Sequence, residues 1–158
     1  MKRYHDDFRN EQKYVNTPLH REQKSGGFRC SHCREWVVIN PMMGTSNRNH
    51  CPLCLWSRHV DIKTGDREAT CRGGMEPIGL TLKHEGFGRM GELMVLHECR
   101  GCGKLSINRI ARDDDEHELM CVFEQSLGIS AERRSQLLRR DIDLIGDVQE
   151  VRRQLFGG

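Results

Sequence analysis

The spacing of apolar residues divides the chain into three stretches. Residues 1–26 are polar and mixed in charge, show no apolar period and end in Lys24-Ser25-Gly26-Gly27. Such a stretch cannot bury enough apolar surface to order itself and reads as a flexible arm, residues 1–27. From Phe28 to Arg112 the apolar runs are short and broken by turn residues. Trp36-Val37-Val38-Ile39 is a strand closed by Asn40-Pro41, and Ile78–Leu82 and Glu92–Leu96 are two more. Between the last two lies Gly86-Phe87-Gly88-Arg89-Met90-Gly91. It spells G-x-G-x-x-G, but a dinucleotide fingerprint must open a helix inside a βαβ unit, so here it reads as a hairpin turn.

After residue 115 the period lengthens to that of a helix. Glu116 to Leu127 forms one helix stopping at Gly128, and Ser130 caps a second. Along the second, Leu137, Leu144, Val148, Val151 and Leu155 keep heptad-compatible spacing, with Leu138, Ile142 and Ile145 beside them and Asp141 interrupting the seam. The stripe packs either on the chain's own domain or on a partner helix. Cys121, among Leu119, Met120, Val122 and Phe123, is expected to be a buried thiol. The divisions are residues 1–27 (arm), 28–115 (a strand-and-turn domain) and 116–158 (a helical extension), together a small α+β protein.

The cysteines explain what holds the middle stretch together. Cys30-x-x-Cys33 and Cys51-Pro-x-Cys54 are separated by seventeen residues. Each C-x-x-C makes a tight knuckle that aims two thiolates at one point, and two knuckles complete a tetrahedral sulfur shell for zinc. Pro52 suits the knuckle, and Gly44, Asn47 and Asn49 supply turns between the pairs. A thioredoxin-like motif needs a helix after its C-x-x-C, which neither pair has. Cys99-Arg-Gly-Cys102-Gly103 is a third knuckle, with glycine where a positive φ is often required. Cys71 is its third ligand, and a histidine completes the set. His59 and His97 both qualify, with His84 a weaker candidate. His59 is preferred, because it closes a larger loop and Asp61 nearby is placed to orient its ring. The expected fold is therefore zinc-ribbon-like hairpins around two structural Zn²⁺ ions, one on Cys30, Cys33, Cys51 and Cys54, the other on His59, Cys71, Cys99 and Cys102.

Composition fits a metal-stapled domain. Hydrophobic residues make up 36% of 158 and the mean hydropathy is −0.69, so the core is lean. Residues 1–7 contain no apolar signal core, and no run approaches the length of a membrane span. The reduced cytoplasm is the expected compartment, with no membrane partner. The net charge of +2 is small, but it is unevenly distributed. Residues 1–29 hold seven Lys/Arg against four Asp/Glu, while the rest is near balance. In the arm, Tyr4, Phe8 and Tyr14 alternate with Lys2, Arg3, Arg9 and Lys13, a pattern that docks on RNA by stacking and phosphate contact. The plainer alternative is a leader that binds nothing.

Several motifs carry a family resemblance. Arg48-Asn49-His50-Cys51-Pro52 is flanked by Phe28-x-Cys30-x-His32-Cys33, Cys54-Leu55-Trp56-Ser57, His59-Val60-Asp61 and Gly65-Asp66-Arg67. Met75–Leu80 and Asn108–Asp114 follow. Over roughly residues 28–115 the chain resembles the RNHCP domain family, which implies a zinc-binding module and no particular partner. Arg48, Asn49 and His50, directly before a knuckle, either support the thiolates or form an exposed donor cluster for phosphates and bases. The acids at 113–116 read mainly as the first turn of the helix that follows. Sulfur-rich shells mark closed structural sites, so a non-enzymatic binding module is expected rather than a zinc enzyme. Its expected partner is RNA or a ribosomal or other nucleoprotein particle, with a protein adaptor acting through the C-terminal helix as the alternative.

Overall fold

The computed structural model describes residues 26–44, 47–84 and 90–157. Lys2, Arg3, Tyr4, Arg9, Lys13 and Tyr14 lie outside the described residues. Chain order is β1 (Gly27–Arg29), β2 (Trp36–Val38), a 3-10 turn (Pro41–Met43), β3 (Ser57–Arg58), β4 (Gly74–His84), β5 (Met90–Cys99) and β6 (Leu105–Arg109). The helices α1 (Glu116–Ser126), α2 (Ala131–Leu138) and α3 (Val148–Phe156) follow. β1 and β2 form a separate two-stranded ribbon, and β3-β4-β5-β6 form one antiparallel sheet. The ribbon begins inside the stretch assigned to the arm. Gly27 pairs with Val38, and the Gly26 carbonyl accepts the Ile39 N–H at 2.8 Å.

β4 and β5 are longer than their apolar cores suggest. Pro77 sits within β4, where a residue without an N–H is tolerated only at an edge or a bulge. The register supplies the bulge: Pro77 pairs with His97 and Gly79 with Leu96, leaving Ile78 extra. The segment 85–89 joins these antiparallel strands and lies outside the described residues.

Alternation then assigns the two faces. Leu80, Leu82, Leu93 and Val95 share one face and meet Leu119, Val122 and Phe123 of α1 and Val151 of α3. Leu96, on the other face, meets Leu137, Ile142 and Leu144. The approach is close at Gly79, where a Cβ would stand 2.6 Å from the Leu144 side chain. Leu144 also bridges to Thr81 along the free edge of β4, and the Ile145 N–H donates to the Leu80 carbonyl at 2.9 Å.

The C-terminal stripe is thus spent on the chain's own sheet, but by two helices rather than one. The chain leaves the helix after Leu138, turns through Asp141 at φ +59°, and re-enters at the Asp147 cap. Val148 and Leu138 consequently face solvent while Val151 and Leu137 are buried. The caps follow from sequence. Asp115, Ser130 and Asp147 each accept a first-turn N–H through their side chains. Cys121 differs from expectation: it lies half-buried on the open flank of α1, 3.7 Å from His117 one turn earlier. Among the described residues, no helix is long and apolar enough to cross a membrane.

Candidate metal centres

Three knuckles share one backbone pattern. The N–H of Cys30, Cys51 and Cys99 donates to the carbonyl five residues on, at Glu35, Trp56 and Lys104 (2.8, 2.9 and 2.8 Å). The carbonyl of each accepts from the residue four on, Arg34, Leu55 and Gly103 (3.0, 2.9 and 2.8 Å). Closing so tight a loop forces those last three residues to φ of 70°, 61° and 77°. Only glycine adopts this region freely, so Arg34 and Leu55 carry a penalty of about 1 kcal/mol each. Cys71 is presented differently. The His59 N–H donates to the Gly73 carbonyl and the Arg72 N–H to the His59 carbonyl, at 2.9 and 3.1 Å. That reciprocal pair sets His59 opposite Cys71.

The donor atoms converge in two groups, Cys30/Cys33/Cys51/Cys54 and His59/Cys71/Cys99/Cys102, each within 4.8 Å of one another. In the first, Cys30 Sγ lies 3.6 Å from Cys54 Sγ, and Cys33 Sγ lies 3.5 Å from Cys51 Sγ. In the second, Cys71 and Cys99 are 3.6 Å apart, and Cys102 Sγ is 3.3 Å from His59 Nδ1. A disulfide needs about 2.05 Å. The edge of a zinc tetrahedron with Zn–S near 2.3 Å is about 3.8 Å between sulfurs and about 3.6 Å from sulfur to nitrogen. Both groups match the tetrahedron and neither matches a disulfide, so they fit two zinc ions.

The two centres differ in setting. Cys30 and Cys51 are buried in a small core with Phe28, Val37 and Val60. His32 of the first knuckle stacks on Trp56 after the second, with ring centroids 4.2 Å apart. Crowding of thiols splits their acidities. The Cys51 thiol is pushed down to about 5 by hydrogen bonds from the Cys54 thiol and knuckle amides, while Cys54 is pushed up by the same contact. The second centre is open, with Cys71 and Cys102 exposed. Gly73 and Gly101 pack directly on its sulfurs. A Cβ there would stand 2.9 Å from Cys99 Sγ and 3.0 Å from Cys71 Sγ respectively. Burial, then Lys104, holds the His59 pKa below the ordinary value, which favours the neutral ring a metal needs.

His97 is not a ligand. It is fully buried, its Nε2–H donates to the Leu55 carbonyl at 2.7 Å, and its Nδ1 accepts from Asn108 Nδ2 at 2.8 Å. Desolvation pushes its pKa down to about 3, so the ring stays neutral and ties the second knuckle to β5 and β6. Asp61 does not orient His59. Its carboxylate accepts from Asn49 Nδ2 and the Gly65 and Arg67 amides at 2.9–3.0 Å, with the Arg67 guanidinium alongside. Arg67 also donates to Asn49 Oδ1, and Asp66 caps its own turn rather than pairing with Arg67.

Arg48 requires the largest correction. As an exposed contact for a partner it should reach solvent, yet it is 1% exposed. Its guanidinium pairs with Asp113 at 2.6 Å and Asp114 at 2.7 Å, and its Nε donates to the His50 carbonyl. His50 Nε2 donates to the other Asp114 oxygen at 2.7 Å, and Asp114 also accepts the Ala111 N–H. Of the acids read as helix-favouring, Asp115 and Glu116 do stand at the start of α1. Asp113 and Asp114 instead close a clasp on residues 48 and 50. The clue was in the sequence: two charge-rich motifs of one family have to satisfy each other if both are buried.

The model of the RNHCP domain matches residues 25–120. No curated protein and no solved structure matches the chain.

Proposed function

The chain belongs to the RNHCP domain family, and from that premise we propose that it is a non-catalytic zinc-binding module that associates with RNA or a ribosomal particle. The observation carrying the non-catalytic part is the closure of both donor sets. Each offers four protein ligands, whereas catalytic zinc keeps a position for water and a base beside it. Asp61, two residues after His59, is already committed to Asn49, Gly65 and Arg67.

For RNA the support is the surface and the leader. Trp36 is 45% exposed on the outer face of the β1–β2 ribbon, paired across the strands with Arg29. An exposed indole beside a guanidinium is a stacking platform for an unpaired base. The cationic, aromatic leader enters at this ribbon, so its Lys/Arg would follow the phosphates of the same strand. The adaptor reading loses its main support, because Leu137, Leu144 and Val151 are buried against the chain's own sheet.

Deleting residues 1–25, which leaves β1 intact, tests this. Affinity for single-stranded RNA should fall, and the dependence of log Kd on log salt should flatten by about 0.7 for each phosphate that the shortened protein no longer neutralises. Equal affinity of both proteins at every salt concentration refutes a role for the leader.

A further inference from the structure

A second recognition element lies beside the open zinc centre. A cleft of about 400 Å³ is lined by β3, the loop Val60–Thr64 and β6, within the roughly 300–1,000 Å³ of small-molecule sites. The register places Ser57, Met75, Ser106 and Asn108 on one face of the sheet as its floor. Arg58, Lys63 and Lys104 also line it.

The chemistry of the lining is one-sided. Among the described residues, neither the Arg58 guanidinium nor the Lys63 ammonium has an ion-pair or hydrogen-bond partner, and the same holds for the Ser57 and Ser106 hydroxyls. The Lys104 ammonium rests on the Asp61 and Ile62 carbonyls, which holds its charge at the rim. The one carboxylate in the lining, Asp61, is turned inward and saturated. Cations and donors therefore outnumber acceptors, and an occupant must bring negative charge and acceptors. The cleft is also far larger than one phosphate, and Ile62, 57% exposed, gives it apolar surface. A phosphate joined to a ring fits both requirements.

We propose that this cleft binds one nucleotide, the phosphate held by Arg58, Lys63 and Lys104 and the base lying over the floor. The inference rests on the RNA reading for the source of that nucleotide, a terminal or looped-out residue of a strand. A free mononucleotide has the same chemistry.

The test uses the full-length, zinc-loaded protein, with amide NMR spectra and anisotropy of a fluorescein-labelled RNA decamer. Adenosine and uridine 5′-monophosphates should shift the amides of residues 57–64 and 104–108, and inorganic phosphate at equal concentration should shift them far less. Arg58→Ala with Lys63→Ala should abolish these shifts and weaken decamer binding about tenfold. The control Arg139→Ala with Arg140→Ala removes the same charge from an exposed turn elsewhere and should change it less than threefold. Zinc content and circular dichroism establish that both variants are folded. Equal losses in the two variants overturn the cleft while leaving RNA binding standing. Phosphate reproducing the nucleotide shifts overturns the nucleotide assignment. Mononucleotide shifts confined to the cleft without decamer binding support the cleft with a free nucleotide and refute the RNA reading. Absence of any shift at these residues overturns the proposal whether or not the decamer binds.

Discussion

Replacing Arg48 with alanine should damage this protein more than any other single surface-like change in its sequence. The side chain is 1% exposed and Asp114 is 0% exposed, so truncation strands a carboxylate that water cannot reach. Removing one member of a buried ion pair typically costs about 3–5 kcal/mol. His50 still donates to Asp114 after the change, which places the expected loss near the lower end, about 3 kcal/mol. Asp113 adds little, because its side chain is 37% exposed and solvent screens it. With a urea dependence of about 1–3 kcal/mol per molar, the unfolding midpoint should fall by roughly 1–3 M. Urea titration in excess zinc, followed by Trp36 and Trp56 fluorescence, measures it. The Arg48→Lys protein should fall between, since an ammonium cannot span both carboxylates as the guanidinium fork does. The Asp113→Asn protein should stay within about 1 kcal/mol of the parent. A midpoint for Arg48→Ala matching that of Asp113→Asn would refute the clasp.

Three further outcomes follow from the centres. His59→Ala should lower the zinc content from two ions toward one, or leave one easily chelated, whereas His97→Gln should keep two; metal analysis after brief chelator exposure ranks them. Gly101→Ala should loosen the second zinc alone, because the added methyl would stand 3.0 Å from Cys71 Sγ, and single-site chelation kinetics would show it. His97 sets an acid limit. Its folded pKa of about 3 lies below the unfolded value of about 6.5, so the unfolded chain binds the extra proton as pH falls. Stability from this ring is complete above about pH 6.5 and is lost on acidification, by about 1.4 kcal/mol between pH 7.5 and 5.5. His97→Gln should be less stable at neutral pH but lack that part of the decline, and parallel pH curves for the two proteins would contradict this.

What the sequence disclosed follows the range of the interactions involved. A C-x-x-C knuckle closes over five residues, so the three knuckles were visible in spacing alone, as was the Ser130 cap. His59 could be ranked above His97 only weakly. Their difference lies in Leu55 and Asn108, which are distant in sequence and adjacent only once β5 and β6 pair. The clasp spans 65 and 66 residues, and arginine before a knuckle has no local mark that separates burial from exposure. The apolar stripe in the tail hid its break for a related reason. Both a continuous helix and two short ones satisfy the spacing, and the choice falls to Leu144, which pairs with the edge of β4.

The placement of the two ligand sets along the chain also orders their assembly in time. The first set is complete once residue 54 has been made, and its sulfurs span as few as 18 and 24 positions. The second encloses the whole β4–β5 hairpin, with His59 and Cys102 separated by 43 positions. Closing the longer loop costs only about 0.5 kcal/mol more in chain entropy. The delay is larger than that figure suggests, because Cys71 meets Cys99 only when the hairpin has zipped. At about 5–20 residues per second, synthesis separates the two sets by several seconds. The first set can therefore close before β4 and β5 have been made, whereas the second can close only once those long strands have paired. Asp113 and Asp114 emerge after both ligand sets, so the clasp on Arg48 and His50 closes only once all eight ligands have been made.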